Sequence, residues 1–495
     1  MRAQIKKTEL FYLCAQIKKV FMHHLKKTKI VCTIGPATEK EEVLTRLLKA
    51  GMNVMRLNFS HGDFAEHQTR VDNLRRAVKT LNLPVAIIQD LAGPKIRIGE
   101  FEAGATILTE GATFTLTTDK IVGNDERVSI NYPLFAREVK VGDPVLLHDG
   151  KKKLEVVAIK GADVICRVLV GGEIKDRRGV NLPGSDLSTS SLTEKDRTDL
   201  AFGFENDVDF FALSFVRRPD DIFELRELID RAGKATKIIA KIETPQALKN
   251  IDEIIKLADG IMVARGDLAI EIPAEDVPLV QKMLIQKCNQ AGKPVITATQ
   301  MLESMISSPV PTRAEVSDIA NAILDGTDAI MLSEETTLGQ FPVKAVQTMT
   351  KVAERIERDP HYRDMVNGRK YSDPVKRSSD AVGNGVIEVA KGCGAKLIIA
   401  LTESGFSARM ISRYKPEQKI IALTPNEKTR KQLALSYGCV PVICDQFGEL
   451  SAVIIGVKKL VVESKLAGSG DKVIIVFGLP LGQKGGTNSL IVETL

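Results

Sequence analysis

The 495-residue chain has no tryptophan, and aromatic residues make up only 5% of it. So few rings leave little on which successive bases of a single-stranded nucleic acid could stack. Its seven cysteines are odd in number and scattered, and none forms a C-x-x-C pair. That spacing supports neither a zinc site nor a disulfide framework and fits reduced, buried thiols. No apolar run approaches the roughly 18 residues that a membrane span needs. The stretch Leu10–Cys14 is too short for the apolar region of a secretory signal and no small-residue cleavage site follows it, so a cytoplasmic protein is expected. The pattern G-x-x-x-x-G-K-[ST] does not occur either, which excludes a P-loop phosphate cradle.

What is present is the composition of a globular protein, 44% hydrophobic and 27% charged. The length suits two to four domains. The formal charge is +6, but residues 1–27 hold seven basic side chains against one acid, and the other 468 residues carry 62 of each sign. The basicity therefore belongs to one end, where Ala3-Gln4-Ile5-Lys6-Lys7 recurs at residues 15–19. A basic nucleic-acid-binding protein is the non-enzymatic alternative, and the lack of a basic stripe beyond residue 27 argues against it.

From Thr28 onward a strand-helix alternation repeats. Apolar strand-like runs fall at Lys29–Ile34, Asn53–Phe59, Val85–Asp90, Phe210–Phe215, Lys237–Ile242, Ile261–Ala264, Val295–Ala298 and Ala329–Leu332. Amphipathic segments with start signals separate them, such as the capping-box-like Thr193-Glu194-Lys195-Asp196. Eight such units close a parallel (β/α)8 TIM barrel, residues 26–93 and 190–359. The interruption at residues 94–189 reads as short β segments with turn signals, an inserted small β-barrel domain placed to act as a lid. Residues 360–495 read as a mostly parallel, doubly wound α/β domain, and residues 1–25 as a basic extension.

Catalytic groups in such a barrel belong just past the carboxyl ends of the strands. Arg56, Asp90, Lys241, Glu243, Arg265, Gly266, Asp267, Thr299 and Ser333 all fall there. Lys241 and Glu243 are two apart on one strand and so share a face. Glu243 and Asp267 suit a magnesium ion, which takes one or two protein carboxylates. Arg56 and Lys241 suit a phosphoryl group, and backbone N–H groups at Gly266 and Asp267 suit a substrate carboxylate.

MNVMRLNFSHG (Met52–Gly62), KIE (Lys241–Glu243), MVARGDLAIEIP (Met262–Pro273), ITATQMLESM (Ile296–Met305), PTRAEVSDIANAILDGTDAIMLS (Pro311–Ser333) and GVNLPG (Gly179–Gly184) resemble pyruvate kinase. The resemblance runs from about Lys26 to the end of the sequence. It implies a barrel with an inserted lid and a C-terminal regulatory domain in a homotetramer. The implied reaction is phosphoryl transfer from phosphoenolpyruvate to ADP, giving pyruvate and ATP in the last step of glycolysis. Glu243 and Asp267 then hold Mg2+ or Mn2+, Lys241 and Arg56 stabilise the phosphoryl group, and residues Ala264, Arg265, Gly266 and Asp267 bind the substrate carboxylate. Thr299 lies by the enolate and Ser333 in the proton path. Asn58, His61, Arg97, Arg178 and Asn181 match nucleotide-side positions. Thr402, Ser404, Gly405 and Ser407 match the loop for an activating phosphorylated metabolite.

Two departures matter. The family's potassium site matches at Asn58, Ser60, Asp90 and Leu91, but Lys95 stands where potassium-dependent members carry Glu. An ammonium there supplies the missing charge, so activity without added potassium is expected, as in the bacterial-type subgroup with Lys at this switch. Glu334, where a small residue is usual, adds a carboxylate beside Ser333. Because the family-like region starts near Lys26 and Met22 precedes it, residues 1–21 are expected to be dispensable. A magnesium-dependent aldolase or lyase on a similar barrel is the alternative enzyme; the inserted lid argues against it.

Overall fold

The computed structural model describes Ile17 and residues 26–185, 187–362, 378–482 and 486–495. The basic extension lies outside the described residues apart from Ile17, which is buried in the C-terminal core.

Eight parallel strands close the barrel: β1 (Lys29–Thr33), β2 (Val54–Asn58) and β3 (Ala86–Asp90), then, after the insertion, β12 (Phe210–Leu213), β13 (Lys237–Ile242), β14 (Gly260–Ala264), β15 (Val295–Ala298) and β16 (Ala329–Leu332). β1 pairs with β16 and β3 with β12, so the ring closes across the insertion. The strands are apolar on both faces because helices cover the outside while side chains fill the inside. Val31, Ile88, Phe210, Ile239, Met262 and Ile296 meet in the interior. Ala434 and Leu435, from the C-terminal domain, join this inner cluster.

The start signal at Thr193 is realised as a reciprocal cap. Its hydroxyl accepts from Asp196 N, and the Asp196 carboxylate accepts from Thr193 N at 2.9 Å. Two orphan N–H groups of the helix Glu194–Glu205 are thereby satisfied.

The insertion holds β4 (Ala105–Leu108), β5 (Thr113–Thr117), β6 (Arg127–Ser129), β7 (Pro144–Leu147), β8 (Lys152–Lys160), β9 (Asp163–Val170), β10 (Gly172–Lys175) and β11 (Val180–Asn181). They form a six-stranded sheet and a two-stranded one around their own core, which includes Phe114, Phe135 and Leu154. This is the inserted small all-β domain that the short β segments and turn signals predict.

The C-terminal sheet has the order β19-β18-β17-β20-β21, from β17 (Leu397–Leu401), β18 (Ile420–Thr424), β19 (Cys439–Ile443), β20 (Lys472–Phe477) and β21 (Ser489–Thr494). Four strands are parallel, and β21 pairs antiparallel with β20 at the edge. Of the described cysteines, Cys32, Cys166, Cys288 and Cys439 are buried, and all six are free thiols. No helix among the described residues is long and apolar enough to cross a membrane.

Candidate active site

Five strands deliver charged or polar groups to one rim of the barrel. At its centre is Asp90, the last residue of β3 and 1% exposed. Its Oδ2 accepts from Arg56 Nε at 2.6 Å, and Lys241 Nζ lies 3.3 Å from its Oδ1. Arg56 also donates to Thr33 Oγ1 at 2.8 Å. Lys241 donates to Ser214 Oγ at 2.6 Å, and that hydroxyl donates to Leu91 O at 2.7 Å. Burial alone would raise the Asp90 pKa, but Arg56 and Lys241 more than offset it and hold the carboxyl below its usual range. Burial would lower Lys241, yet Asp90 and Glu243 lift its ammonium above the ordinary lysine value. Two cations are thus fixed beside one carboxylate with little freedom to move.

Glu243 adds the second carboxylate, also 1% exposed. Its Oε2 accepts from Phe215 N at 2.7 Å, a direction made possible by the left-handed turn of Phe215 at φ 53°. Its buried Oε1 forms an ion pair with Lys241 Nζ at 2.9 Å. Burial raises the Glu243 pKa, Lys241 opposes and Asp267 adds to the rise. Asp267, in the first turn of the helix Arg265–Glu271, makes no ion pair or side-chain hydrogen bond among the described residues. Two oxygen-only side chains, one whose Oε1 meets only the Lys241 ammonium and one without an ion pair or side-chain hydrogen bond among the described residues, fit a hard cation such as magnesium. No group of three or more His, Cys, Asp or Glu that could hold a metal occurs among the described residues.

The loop after β15 is strained where it meets this helix. Thr299 and Gln300 have φ of 68° and 54°, unusual for side chains with a Cβ and above all for a branched one. The turn is held by Arg265, which donates to Thr299 O at 2.6 Å, to Ala298 O at 3.2 Å and to Asp318 Oδ1 at 2.7 Å. In return Thr299 Oγ1 accepts from Gly266 N at 2.8 Å. That corrects the sequence reading in two respects. Arg265 to Asp267 begin the helix itself, and the Gly266 N–H is engaged.

A cleft of about 310 Å³ lies beside these groups, between barrel and insertion, lined among others by Lys95, Asp149, Asn181, Asp267 and Glu271. Asn181 Nδ2 donates to Glu271 Oε1 at 2.8 Å across it. Burial raises Glu271 to about 7, with Asp267 and Glu243 adding to the rise and Asn181 opposing it.

Two family models match the chain, "Pyruvate kinase, barrel domain" over residues 25–346 and "Pyruvate kinase, alpha/beta domain" over residues 380–493. The chain belongs to the pyruvate kinase family. It is 44% identical over 474 residues to a pyruvate kinase of Clostridium perfringens, covering 95% of this chain and all of that one. A pyruvate kinase of Geobacillus stearothermophilus is 46% identical over 473 residues, 95% of this chain and 80% of the relative. The crystal structure of a pyruvate kinase from Cryptosporidium parvum superposes with a TM-score of 0.88 at 38% identity over 97% of both chains. The protein is accordingly a pyruvate kinase-type phosphotransferase.

The remaining family-matched positions scatter around this centre. Asn58 Oδ1 accepts from Ser60 N at 3.2 Å, and Ser60 and His61 are exposed. Arg97 Nη1 donates to Arg177 O at 3.0 Å, and Arg178 Nε is buried without a hydrogen-bond partner among the described residues. Of Asn58, His61, Arg97, Arg178 and Asn181, which the resemblance matched to nucleotide-side positions, Asn181 is the one that lines the cleft. Lys95 is exposed at its edge, next to Gly179. Ser333 N donates to Glu335 Oε2 at 2.7 Å, and Leu302 N to Glu335 Oε1 at 3.1 Å. The carboxylate turned inward beside Ser333 is therefore Glu335, and Glu334 is exposed. Sequence reasoning also missed Ser214, Glu271 and the central place of Asp90. Only Asp90 and Ser214, next to strand ends, carried a positional signal.

In the C-terminal domain, Thr402 and Ser407 are buried, with Thr487 Oγ1 donating to Ser407 Oγ at 2.8 Å. Ser404 O accepts from Arg409 Nη1 at 3.2 Å, and Gly405 takes φ 78°. The pocket here is about 20 Å³.

Proposed function

We propose that the protein transfers the phosphoryl group of phosphoenolpyruvate to ADP, forming ATP and pyruvate. The observation that carries this is the buried Arg56–Asp90–Lys241–Glu243 network facing the unpartnered Asp267. Arg56 and Lys241 present cations to a dianionic phosphoryl group in a water-poor setting, where charge stabilisation is strong. Asp90 keeps both in place and holds Lys241 protonated. Glu243 and Asp267 hold magnesium, or manganese, which when bound neutralises charge on the phosphoryl oxygens. The backbone at Asp267, in the first turn of its helix, and Thr299, which holds the Gly266 N–H, position the carboxylate end of the substrate. Ser333, fixed through Glu335, lies on the proton path to the enolate. ADP enters the cleft lined by Asn181, with His61, Arg97, Arg178 and Asn58 on its margin.

Lys95 substitutes for the monovalent cation beside Asn58, Ser60, Asp90 and Leu91. The loop of Thr402, Ser404, Gly405 and Ser407 takes the phosphate of an activator. The working protein is a cytoplasmic homotetramer with the domain limits given by sequence, 26–93 and 190–359 for the barrel, 94–189 for the lid and 360–495 for the regulatory domain.

An assay coupling pyruvate formation to an indicator dehydrogenase tests this. Turnover must require phosphoenolpyruvate, ADP and Mg2+ together; turnover without ADP would indicate an aldolase or lyase instead. Replacing K+ by tetramethylammonium should leave the rate within about twofold, whereas a loss near tenfold (about 1.4 kcal/mol) would remove the role given to Lys95. A panel of sugar phosphates and AMP that leaves the phosphoenolpyruvate dependence unchanged would remove the activator.

A further inference from the structure

A second large cleft, of about 360 Å³, lies far from the catalytic rim, where the amino end of β13 meets the C-terminal domain. Its lining carries six cations against three carboxylates. Three of the cations have local partners: Lys287 pairs with Asp252 at 2.5 Å, Arg413 with Asp380 at 2.7 Å and Lys256 with Glu253 at 3.6 Å. The other three, Lys237, Lys293 and Arg409, make no ion pair among the described residues.

Asp259 is the carboxylate these three share electrostatically, and it is already spent. Its Oδ2 accepts from Arg226 and, at 2.9 Å, from Ile238 N. Lys293 Nζ is satisfied by carbonyls, Ala258 O at 2.6 Å and Lys256 O at 3.4 Å, and Arg409 Nη1 by Ser404 O. Lys237 Nζ has no hydrogen bond at all among the described residues. Burial, then Arg409 beside it, pushes its pKa well below the lysine value. A half-buried ammonium held among like charges without a counter-ion is costly unless an anion completes it.

We propose that this cleft binds a small phosphomonoester anion, with Lys237, Lys293 and Arg409 around its phosphate. The cavity is wide enough for the organic part of such a metabolite, unlike the pocket of about 20 Å³ at the Thr402 loop. The site is clamped by both domains. Arg413 donates to Gln290 O at 3.0 Å, and the Gly292 backbone sits so close to Met410 that a Cβ would lie 1.9 Å from its Cε. The helix Phe406–Ser412 carries Arg409 into this cleft and Ser407 into the loop pocket. An anion here therefore bears on the domain junction and on the activator loop together.

The test is calorimetric titration of the full chain with glycerol 3-phosphate and with inorganic phosphate. Binding to the unaltered protein should weaken roughly tenfold or more in Lys237→Gln and in Arg409→Gln, the loss of one charge-assisted contact. It should persist in Lys237→Arg and in a Thr402→Val/Ser404→Ala double variant. Unchanged turnover without the phosphoester, and an unshifted or raised apparent Tm, identify the variants as folded. No binding to the unaltered protein, or unchanged binding in both Gln variants, overturns the proposal. Binding lost only in the double variant also overturns it and leaves the activator reading of the loop intact.

Discussion

Lys237 opens strand β13 and Lys241 stands near its end, with Ile239 between them on the inward face. Lys241 is buried and Lys237 half-buried, and their surroundings act on them in opposite directions. Lys241 meets Asp90 and Glu243 and is held protonated; Lys237 meets Arg409 and Lys293 and is pushed toward the neutral form. The difference is one of counter-charge, since burial disfavours either ammonium. The carboxyl end of the barrel, where we propose that the phosphoryl group binds, is completed by its own acids. The amino end, where the C-terminal domain docks, is left with surplus cations.

The sharpest way to break this contrast is Lys241→Gln. Turnover should fall about 10³-fold, the scale of removing one preorganised donor from a transition state. The apparent Tm should fall as well, because Asp90 and Glu243 lose a buried partner, a change that typically costs about 3–5 kcal/mol. A steady-state assay and a melting curve check both. Turnover within tenfold of the unaltered protein would show that Arg56 alone carries the phosphoryl group.

Next in size is Glu243→Gln, which keeps the shape of the side chain and removes one of the two carboxylates proposed to hold the metal. Turnover should drop on the order of 10²-fold, with weaker Mn2+ binding by electron paramagnetic resonance titration. Undiminished Mn2+ affinity would separate Glu243 from the metal.

Glu271 gives a smaller effect with a defined pH sign. Its folded pKa is raised to about 7 from an ordinary 4.5. Between those values the folded state keeps a proton that the unfolded state has released, so this group's contribution to stability falls as pH rises through the window. In metal-free protein, Glu271→Gln should raise the apparent Tm at pH 8 and leave it unchanged near pH 4.5. Equal shifts at both pH values would mean that packing, and not charge, explains the effect.

Much of this contrast was legible only at one end of the strand. The barrel strands announced themselves because a parallel strand buried on both faces is a continuous apolar run. Lys241 and Glu243 could be paired by strand period alone, and the β13 range was read to the residue. Asp90 as the hub of Arg56 and Lys241 was not legible, since its partners lie 34 and 151 positions away in the chain. The left-handed turn at Thr299 and Gln300 carries no glycine to signal it. Glu271 looked like an ordinary helix end until Asn181 reached it from the insertion. At the lower end, Lys237, Lys293 and Arg409 come from two domains, and isolated lysines and arginines in sequence read as solvated charges.

The smallest effect discriminates best between the two ends. Below a pH of about 10.5, the unfolded chain holds the proton on Lys237 more tightly than the folded one does, so the folded state gives up stability to this residue down to its lowered pKa. For Lys241 the order is reversed: its contribution is fully present below the ordinary lysine value of about 10.5 and is lost as pH rises from there through its raised pKa. At pH 7.5, Lys237→Gln should therefore raise the apparent Tm by about 1–2 °C, while Lys241→Gln lowers it. Turnover of Lys237→Gln should match the unaltered protein, because the residue lies at the opposite end of the barrel. Adding glycerol 3-phosphate should narrow the gap, since the anion stabilises the protein with Lys237 more than the variant. A Tm that falls in Lys237→Gln without phosphoester would show that its ammonium already has an effective counter-charge.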